Sequence, residues 1–466
     1  MLNIKRSKLR WKVTSISGRE ERTADGRESH LDRPKRMAHQ VISDITEWVK
    51  NLPTRESHYS KKTETVRRYL NPDLNMARLH RLFCEKFPEH SIGYDKFRKV
   101  VKENCDVHFG AIRSDICESC EKTNVNLAAA RRRSDDVAIG RLEQDKEIQL
   151  KQAQSLYDGI TAQKASPNND TWAICKDFEK NLPLPVTNVG PEYYKRQLWV
   201  HNFGIIDIKT GNASMFVYSE HFASKGPNEV ISMLDHYLTQ QKPPGCHKLN
   251  VFCNNCFSQN KNRYLFVYLD NMCALGKFQE ILITYPIPDH SYMPIDQAFA
   301  LIERQRLRVE KLCRPEDWLE VIRNARVQQP FKIYGLNFSL SSNLAPLPNV
   351  EVVRSRDFKV ACGGRAKQSP IAKIRSIAFH QNAKPKYQTS VDGPWFEMDL
   401  LKKGANRCSP LRAQELEAVF LPVKTAKKKD LEELLKYVDE AIREAAFYKS
   451  VQASVEATED PDDYEA

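Results

Sequence analysis

KLNVFCNNCFSQNKNRYLFVYLD, at Lys248–Asp270, contains two apolar runs separated by a polar cluster. The first run, Leu249–Cys253, has the length and composition of a short buried strand. The cluster that follows includes Ser258–Arg263, where five of the six side chains are amides or cations. In α/β proteins, ligands and catalytic groups lie just outside the carboxyl ends of buried strands. The stretch therefore predicts a functional site, and the alternative is an ordinary capped turn between a strand and a helix.

The segments around this strand alternate between strand and helix patterns. Strands are predicted at 171–178, 198–208, 214–219 and 280–287, with a Pro-marked turn at 181–185 after the first. Helices are predicted at 229–238, in the apolar segment up to 275, and at 294–310. The order is three strands, helix, strand, helix, strand, helix, which is the order of the ribonuclease-H-like fold. The sequence thus predicts an α/β core of the ribonuclease-H-like class at 166–325. Over the whole chain it predicts an α+β protein.

That fold places carboxylates on its first strand, at the end of its fourth strand and on the helix after its fifth. Here those places hold Asp177, Asn254, and Asp296 with Glu303, the last two sharing one helix face. Two Mg²⁺ ions in such a site stabilise the attacking and leaving oxygens of a phosphoryl displacement, and they need carboxylate charge. Asn254 offers one neutral oxygen instead. We therefore expect a degenerate acidic site, with Mg²⁺ as a cofactor only if the site still functions.

The region 37–125 is predicted to be helical and DNA-binding. Residues 1–36 precede it as a flexible basic arm. Three short amphipathic patterns resemble a helix-turn-helix, whose last helix enters the major groove. The outward positions of the third helix carry four cations: Lys96, Arg98, Lys99 and Lys102. The alternative is a small bundle with an ordinary solvated face.

A cysteine cluster, CDVHFGAIRSDICESC, closes this region. Cys105 with His108, and Cys117 with Cys120, have the spacing of paired Zn²⁺ ligands. A structural Zn²⁺ bound by these four side chains is one interpretation, and ordinary free thiols are the other. The other cysteines, twelve in all, are expected to be reduced thiols rather than a disulfide framework.

The rest of the chain is predicted from its composition. Residues 126–165 indicate a long, exposed helix linking two domains, 326–450 a small α+β extension, and 451–466 a disordered acidic tail. No window reaches the ~18 apolar residues that a membrane span needs, and no secretory signal is recognised. The net charge of +12 favours nucleic acid as the partner and the nucleus as the location.

The chain resembles a family of eukaryotic proteins of unknown function that occur with mobile elements and are transposase-like. The motifs that carry the resemblance run from Arg55-Glu56-Ser57-His58-Tyr59 and Arg113-Ser114-Asp115 through the Cys117/Cys120 pair, Leu182-Pro183-Leu184-Pro185, Tyr194-Lys195-Arg196-Gln197-Leu198-Trp199 and Cys256–Asn262 to Asp289-His290-Ser291, Asp357-Phe358 and Phe447-Tyr448-Lys449. Members usually have Asp at the position of Asn254, Gly at that of Asp289, and often a His near Gln149. The departures imply lost catalysis and a weaker zinc site.

The expected function follows from these parts. We expect a transposon-derived, nuclear protein that binds nucleic acid, and we expect that nucleic acid to be DNA. We also expect the protein to be an inactive relative of DDE/D transposases or nucleases. The expected contacts include the cations of the third helix and three residues after the predicted strand Leu249–Cys253, namely Asn260, Lys261 and Arg263. The alternatives are an active metal-dependent enzyme and a scaffold that binds protein partners; oligomerisation stays open.

Overall fold

The computed structural model describes residues 39–56, 68–71, 74–109, 117–288, 290–336, 350–363, 371–402, 406–416 and 420–457. The predicted basic arm at 1–36 and the end of the predicted acidic tail lie outside the described residues. The chain divides into two compact units, Met1–Ser114 and Asp115–Ala466.

The first unit packs three helices around an aromatic core. The helices are α1 (His39–Lys50), α2 (Met76–Lys86) and α3 (Tyr94–Asn104), and the sheet beside them contains β1 (Arg55–Glu56), β2 (Arg68–Leu70) and β3 (Val107–Phe109). Phe83 and Phe97 are fully buried, with ring centroids 5.3 Å apart. The three helices confirm the predicted apolar periodicity. The small sheet was not predicted, because strands of two or three residues are too short to show an alternating pattern.

The second unit begins with a helical hairpin, α4 (Glu118–Arg132) and α5 (Asp136–Ala165). Ser134 turns the chain with a φ of 54°, and the Asp135 side chain caps α5. The structure differs here from the exposed linking helix predicted at 126–165. Ala153, Leu156 and Ile160 lie at helical spacing and are buried, so the last turns of α5 are part of this unit's packing.

A large mixed sheet forms the body of the second unit. Its strands are β4 (Thr171–Phe178), β5 (Leu182–Leu184), β6 (Leu198–Asp207), β7 (Ala213–Ser219), β8 (Lys248–Cys253), β9 (Glu280–Thr284), β10 (Lys332–Leu336), β11 (Glu351–Val353), β12 (Ser376–His380), β13 (Ala383–Gln388) and β14 (Phe396–Glu397). Their order is β11-β10-β7-β6-β4-β8-β9-β12-β13-β14, with β5 paired to β6. The protein is therefore a mixed α/β structure, α+β overall.

The five central strands have the order β7-β6-β4-β8-β9. β6 is antiparallel to β4 and β7, whereas β4, β8 and β9 are parallel. The helices α6 (Pro227–Gln241), α7 (Arg263–Ala274) and α8 (Pro294–Arg306) follow β7, β8 and β9 in turn, and α9 (Pro315–Asn324) follows α8. Every residue of β6 and β7 is buried, so both faces of the sheet are covered. These elements confirm the predicted order to within a few residues.

Helix α8 lies unusually close to the sheet at Gly204. A Cβ atom at Gly204 would stand 2.7 Å from Ile295 Cδ1 and 2.8 Å from the Phe299 ring. Gly204 is also the register partner of Asp177 across the β4–β6 pair. The missing side chain thus allows the first turn of α8 to pack directly beside the end of β4.

The region 326–450 differs from the separate extension that was predicted. β10 and β11 continue the sheet in parallel beyond β7, while β12 to β14 continue it beyond β9. The short helix α10 (Phe358–Ala361) lies between β11 and β12. The last described elements are β15 (Val423–Lys424), α11 (Thr425–Leu434), α12 (Glu440–Arg443), α13 (Ala446–Lys449) and β16 (Ala453–Ser454).

None of the described helices is long and apolar enough to cross a membrane. All twelve cysteines are free thiols.

Candidate functional site

The structure brings three of the predicted site residues to one edge of the central sheet. Asp177 lies near the carboxyl end of β4, Asn254 directly follows β8, and Asp296 lies in the first turn of α8. The Asn254 side-chain amide donates a hydrogen bond to Asp177 Oδ1. Asp296 is close enough for its charge to raise the pKa of Asp177. The parallel pairing of β4 with β8 and the close approach of α8 cause this convergence.

Asp177, which is buried, and Asp296, which is partly buried, form an acid pair. Burial first, and then the charge of Asp296, raises the pKa of Asp177 from 3.8 to about 7, while burial raises the pKa of Asp296 to about 6. The Phe178 backbone N–H donates to Asp177 Oδ1 at 2.7 Å, and that of Met293 donates to Asp296 Oδ2 at 2.6 Å. Carboxyl groups that titrate near neutrality in this way are typical of functional sites.

A chain of hydrogen bonds runs from a buried lysine to this acid pair. Lys176 is fully buried, and its Nζ donates to Asn260 Oδ1. Asn260 Nδ2 donates in turn to Asn254 Oδ1 at 2.6 Å, and Asn254 Nδ2 donates to Asp177. When Lys176 and Asp177 are both ionised, the ammonium group can only donate and the carboxylate can only accept, so the two ends fix the direction of both amides. We call this series Lys176–Asn260–Asn254–Asp177 the lysine relay.

The lysine relay leaves Asn254 without an oxygen for a metal ion. Its Oδ1 accepts from Asn260 and also from the Cys256 backbone N–H at 3.0 Å. Its Nδ2 presents hydrogen atoms to Asp177, on the side where a cation would otherwise neutralise that carboxylate. The position therefore supplies partial positive charge to the acid pair rather than a metal ligand.

Glu303, the fourth predicted site residue, lies near a second buried carboxylate that was not predicted, Glu179. It forms an ion pair with Lys180 at 2.8 Å, and its charge contributes to the raised pKa of Glu179. Glu179 is 4% exposed, and burial raises its pKa to about 8. Each of the two carboxylates has one buried oxygen without a hydrogen bond to any described group. The alternation of β4 was the available signal, because Glu179 follows Asp177 by two residues and thus continues its face.

The predicted nucleic-acid contacts fall into two groups. On α3 of the first unit, all four predicted cations, Lys96, Arg98, Lys99 and Lys102, are exposed. Asn260 and Lys261, by contrast, are buried, and Lys261 Nζ donates to Asn255 Oδ1 at 2.9 Å. The Arg263 guanidinium donates to the carbonyls of Cys362 and Gly363. The polar cluster after β8 therefore bonds within the fold.

A second site lies in the same unit, where Cys117, Cys120 and His290 are buried together. One ligand atom of each lies within 4.8 Å of the other two, and Cys120 Sγ is 3.4 Å from His290 Nε2. Cys117 caps the start of α4, and its Sγ accepts from the Cys120 backbone N–H. The Gln149 side-chain amide also donates to Cys117 Sγ, at 3.3 Å. Two thiols and an imidazole in this arrangement could hold a metal ion.

The group of Cys117, Cys120 and His290 does not include Cys105 or His108, which were predicted from their spacing to bind Zn²⁺ together with Cys117 and Cys120. The Cys105 thiol lies in the first unit, 4.0 Å from the Thr46 carbonyl, and His108 lies 3.3 Å from Asp106. The third ligand is instead His290, which is 170 residues from Cys120 in the chain. Local spacing cannot reveal so distant a partner. The only available signal was the motif Asp289-His290-Ser291 quoted for the resemblance.

A family model described as a domain of unknown function, DUF7869, matches residues 192–364. The matched span runs from the turn before β6 to the residues after α10, and includes Asn254, His290, Asp296 and Glu303. Neither the curated proteins nor the solved structures gave a match to this chain.

Proposed function

We propose that this protein binds nucleic acid through a ribonuclease-H-like core that no longer cleaves strands. The central order β7-β6-β4-β8-β9, with its pairing directions and helical connections, supports that fold class. The observation that carries the proposal is the amide of Asn254 bonded to Asp177, with Asp296 beside them. Acidic residues meet there as in a metal-dependent enzyme, but one acid is replaced by an amide.

The chemistry of strand cleavage explains why we propose inactivity. Two-metal catalysis requires one ion at the attacking oxygen and one at the leaving oxygen, held by a shared carboxylate. Mg²⁺ prefers charged oxygen ligands, and the only side-chain oxygen of Asn254 already accepts two hydrogen bonds. Asp177 and Asp296 would hold at most one Mg²⁺, which cannot stabilise both oxygens.

The nucleic-acid partner is proposed from charge. The chain carries a net charge of +12, and the exposed cations of α3 form a basic face on the first unit. Phosphate contacts of this kind give binding that weakens steeply with salt, because bound counterions are released. Descent from a transposon, a nuclear location and DNA as the partner belong to the same proposal.

The test combines binding and cleavage by the full chain. We expect a labelled 30-base-pair duplex to bind at about 50 mM salt and several-fold more weakly at about 150 mM. We also expect no nicking of supercoiled plasmid with Mg²⁺ or Mn²⁺. Asn254→Asp should tighten Mg²⁺ binding, measured by calorimetry. Nicking by the unaltered chain that Asp177→Ala abolishes would establish an active enzyme instead, and absence of any binding would favour the scaffold alternative.

We also propose that the group Cys117, Cys120 and His290 holds a structural Zn²⁺. Thiolate and imidazole donors are the usual ligands of this ion, and a Cys-x-x-Cys pair at the start of a helix is a frequent arrangement. Gln149 contacts Cys117 Sγ, so a His at this position is a candidate for a fourth ligand.

Metal analysis tests the zinc proposal. The purified protein should contain about one equivalent of Zn²⁺, lost in Cys117→Ser and retained in Cys408→Ser, a matched change at an exposed thiol. Gln149→His should slow removal of the ion by a chelator, because it adds a ligand. A folded, metal-free protein would show that these are ordinary buried thiols.

A further inference from the structure

Two adjacent tyrosines are largely exposed in the turn before β6. Tyr193 and Tyr194 end a short 3₁₀ turn, Gly190–Tyr194, and are 71% and 81% exposed. Their rings pack edge to face, with centroids 5.0 Å apart. Aromatic rings usually bury most of their surface, so two adjacent exposed rings mark an interaction surface.

The turn that carries these rings is held rigidly. Glu192 Oε2 accepts three hydrogen bonds, from the Thr187 backbone N–H at 2.7 Å, the Thr187 hydroxyl at 2.9 Å and the Asn188 backbone N–H at 2.8 Å. Gln197 Nε2 donates to the other oxygen of the same carboxylate at 3.3 Å. These bonds fix the turn and therefore the place from which both rings project, which lowers the entropy lost when a ligand binds there.

A basic cavity adjoins this turn. It has a volume of about 570 Å³, and its charged lining consists of the cations Lys180, Arg306 and Arg308 and the acids Glu303 and Glu310. Glu303 is ion-paired with Lys180, so the cations that outnumber the acids are the two arginines. Asn188 also lines the cavity, and its side-chain amide donates to the Glu310 carbonyl on the opposite wall. That bond attaches the segment carrying the tyrosines directly to the cavity wall.

We propose that Tyr193 and Tyr194 stack against bases of a single-stranded nucleic acid whose phosphates lie along Lys180, Arg306 and Arg308. Exposed aromatic rings beside a row of cations are the two elements by which proteins hold single strands without reading their sequence. A duplex cannot use the rings, because its bases are stacked inside the helix. The excess of cations over acids in the cavity lining, carried by Arg306 and Arg308, favours a polyanion over a protein partner, and the inference rests on the proposed nucleic-acid function.

The experiment measures the binding of fluorescein-labelled (dT)20 and of a duplex to the full chain by anisotropy. The double variant Tyr193→Ala/Tyr194→Ala should raise the Kd for (dT)20 about tenfold or more, since a base stacked on an aromatic ring contributes substantially. It should change the Kd for the duplex less than twofold. Tyr193→Phe/Tyr194→Phe keeps the rings and should bind (dT)20 within twofold of the unaltered protein. Arg306→Gln/Arg308→Gln should reduce the salt dependence of (dT)20 binding.

The outcomes separate this inference from the function on which it rests. If the unaltered chain binds nucleic acid but the alanine variant binds (dT)20 equally well, the stacking platform is refuted and the proposed function stands. If the phenylalanine variant loses as much affinity as the alanine variant, the hydroxyl groups make the contact and stacking is also refuted. If the unaltered chain binds no nucleic acid, both proposals fail. Because both side chains are exposed, the variants should keep the melting temperature of the parent protein.

Discussion

Asp177→Asn should stabilise the protein, because it removes a charge that the folded state disfavours. The pKa of Asp177 is raised from 3.8 to about 7 by burial and by Asp296. At about 1.4 kcal/mol per pKa unit, ionising this carboxyl in the folded state costs up to about 4 kcal/mol. An asparagine can keep both hydrogen bonds, since its Oδ1 accepts from Asn254 and from Phe178. We expect a net gain of about 1–3 kcal/mol at pH 8, because burying an amide has its own cost.

The pH dependence gives this prediction its sign. A carboxyl whose pKa is raised in the folded state contributes stability below its ordinary pKa and loses that contribution as the pH rises through about 7. The advantage of Asp177→Asn should therefore be small near pH 4.5 and largest above pH 7. Urea unfolding of the full chain at pH 4.5, 6.5 and 8 measures this difference. Asp145→Asn, at an exposed position of α5, is the control and should change the free energy of unfolding by less than about 0.5 kcal/mol.

Two results would refute the reasoning. One is a loss of stability in Asp177→Asn at pH 8, which would mean that the carboxylate is compensated in the folded state. The other is an effect of equal size at pH 4.5 and pH 8, because a packing defect does not titrate. Added Mg²⁺ tests whether the pair Asp177 and Asp296 binds a metal ion. If it binds one ion, Mg²⁺ should raise the free energy of unfolding of the parent protein at pH 8 and leave that of Asp177→Asn unchanged.

The remaining predictions concern packing and acid stability. Gly204→Ala should destabilise by about 1–3 kcal/mol in urea unfolding, because its Cβ would overlap Ile295 and Phe299; Gly140→Ala on α5, with open space around it, should instead gain about 0.5–1 kcal/mol. Equal effects at both glycines would contradict the close approach of α8. His221 is buried, and burial lowers its pKa to about 3, so its contribution to stability falls as the pH drops below about 6.5. The difference in free energy of unfolding between the parent protein and His221→Gln should therefore shift by about 1–2 kcal/mol against the parent when the pH falls from 7.5 to 5. A difference that does not change with pH would show that His221 does not stay neutral in the folded protein.

The central fold could be predicted because its elements are long and strongly patterned. Thr171–Phe178 matched the observed strand, and the predicted 249–253 strand differs from β8 by one residue. β5 was taken for a turn, because Pro183 removes a backbone donor. The strand forms nevertheless, since it pairs only with β6 and proline is tolerated where one side of the strand is unpaired.

The site was predictable only where chain order places residues at element ends. Asp177, Asn254 and Asp296 follow from the order of strands and helices, because parallel strands bring their carboxyl ends to one edge. His290 and Glu179 were missed. His290 is a distant partner in the chain, and Glu179 lies one residue beyond the predicted strand, where the alternation of β4 had to be extended to place it. The polar cluster after β8 was predicted to be a functional site, and it contains Asn260, a member of the lysine relay. Its exposure was misjudged, because Asn260 and Lys261 turn inward to satisfy other buried groups.

The lysine relay gives Asn254 a role beyond that of a missing ligand. In a metal-dependent site the cation offsets the repulsion between buried carboxylates, and without it the acids are protonated or the fold loses stability. Here Lys176 and the Asn254 amide offset part of this repulsion, although burial lowers the pKa of Lys176 and burial with Asp296 still raises the pKa of Asp177. The two amides between them are oriented by the lysine at one end and the carboxylate at the other. An aspartate at 254 could still accept from Asn260, but it could not donate to Asp177, so Asn254→Asp would place a third negative charge beside the pair. The restored acid should therefore lower stability unless Mg²⁺ is bound, which makes metal binding and folding interdependent in that variant.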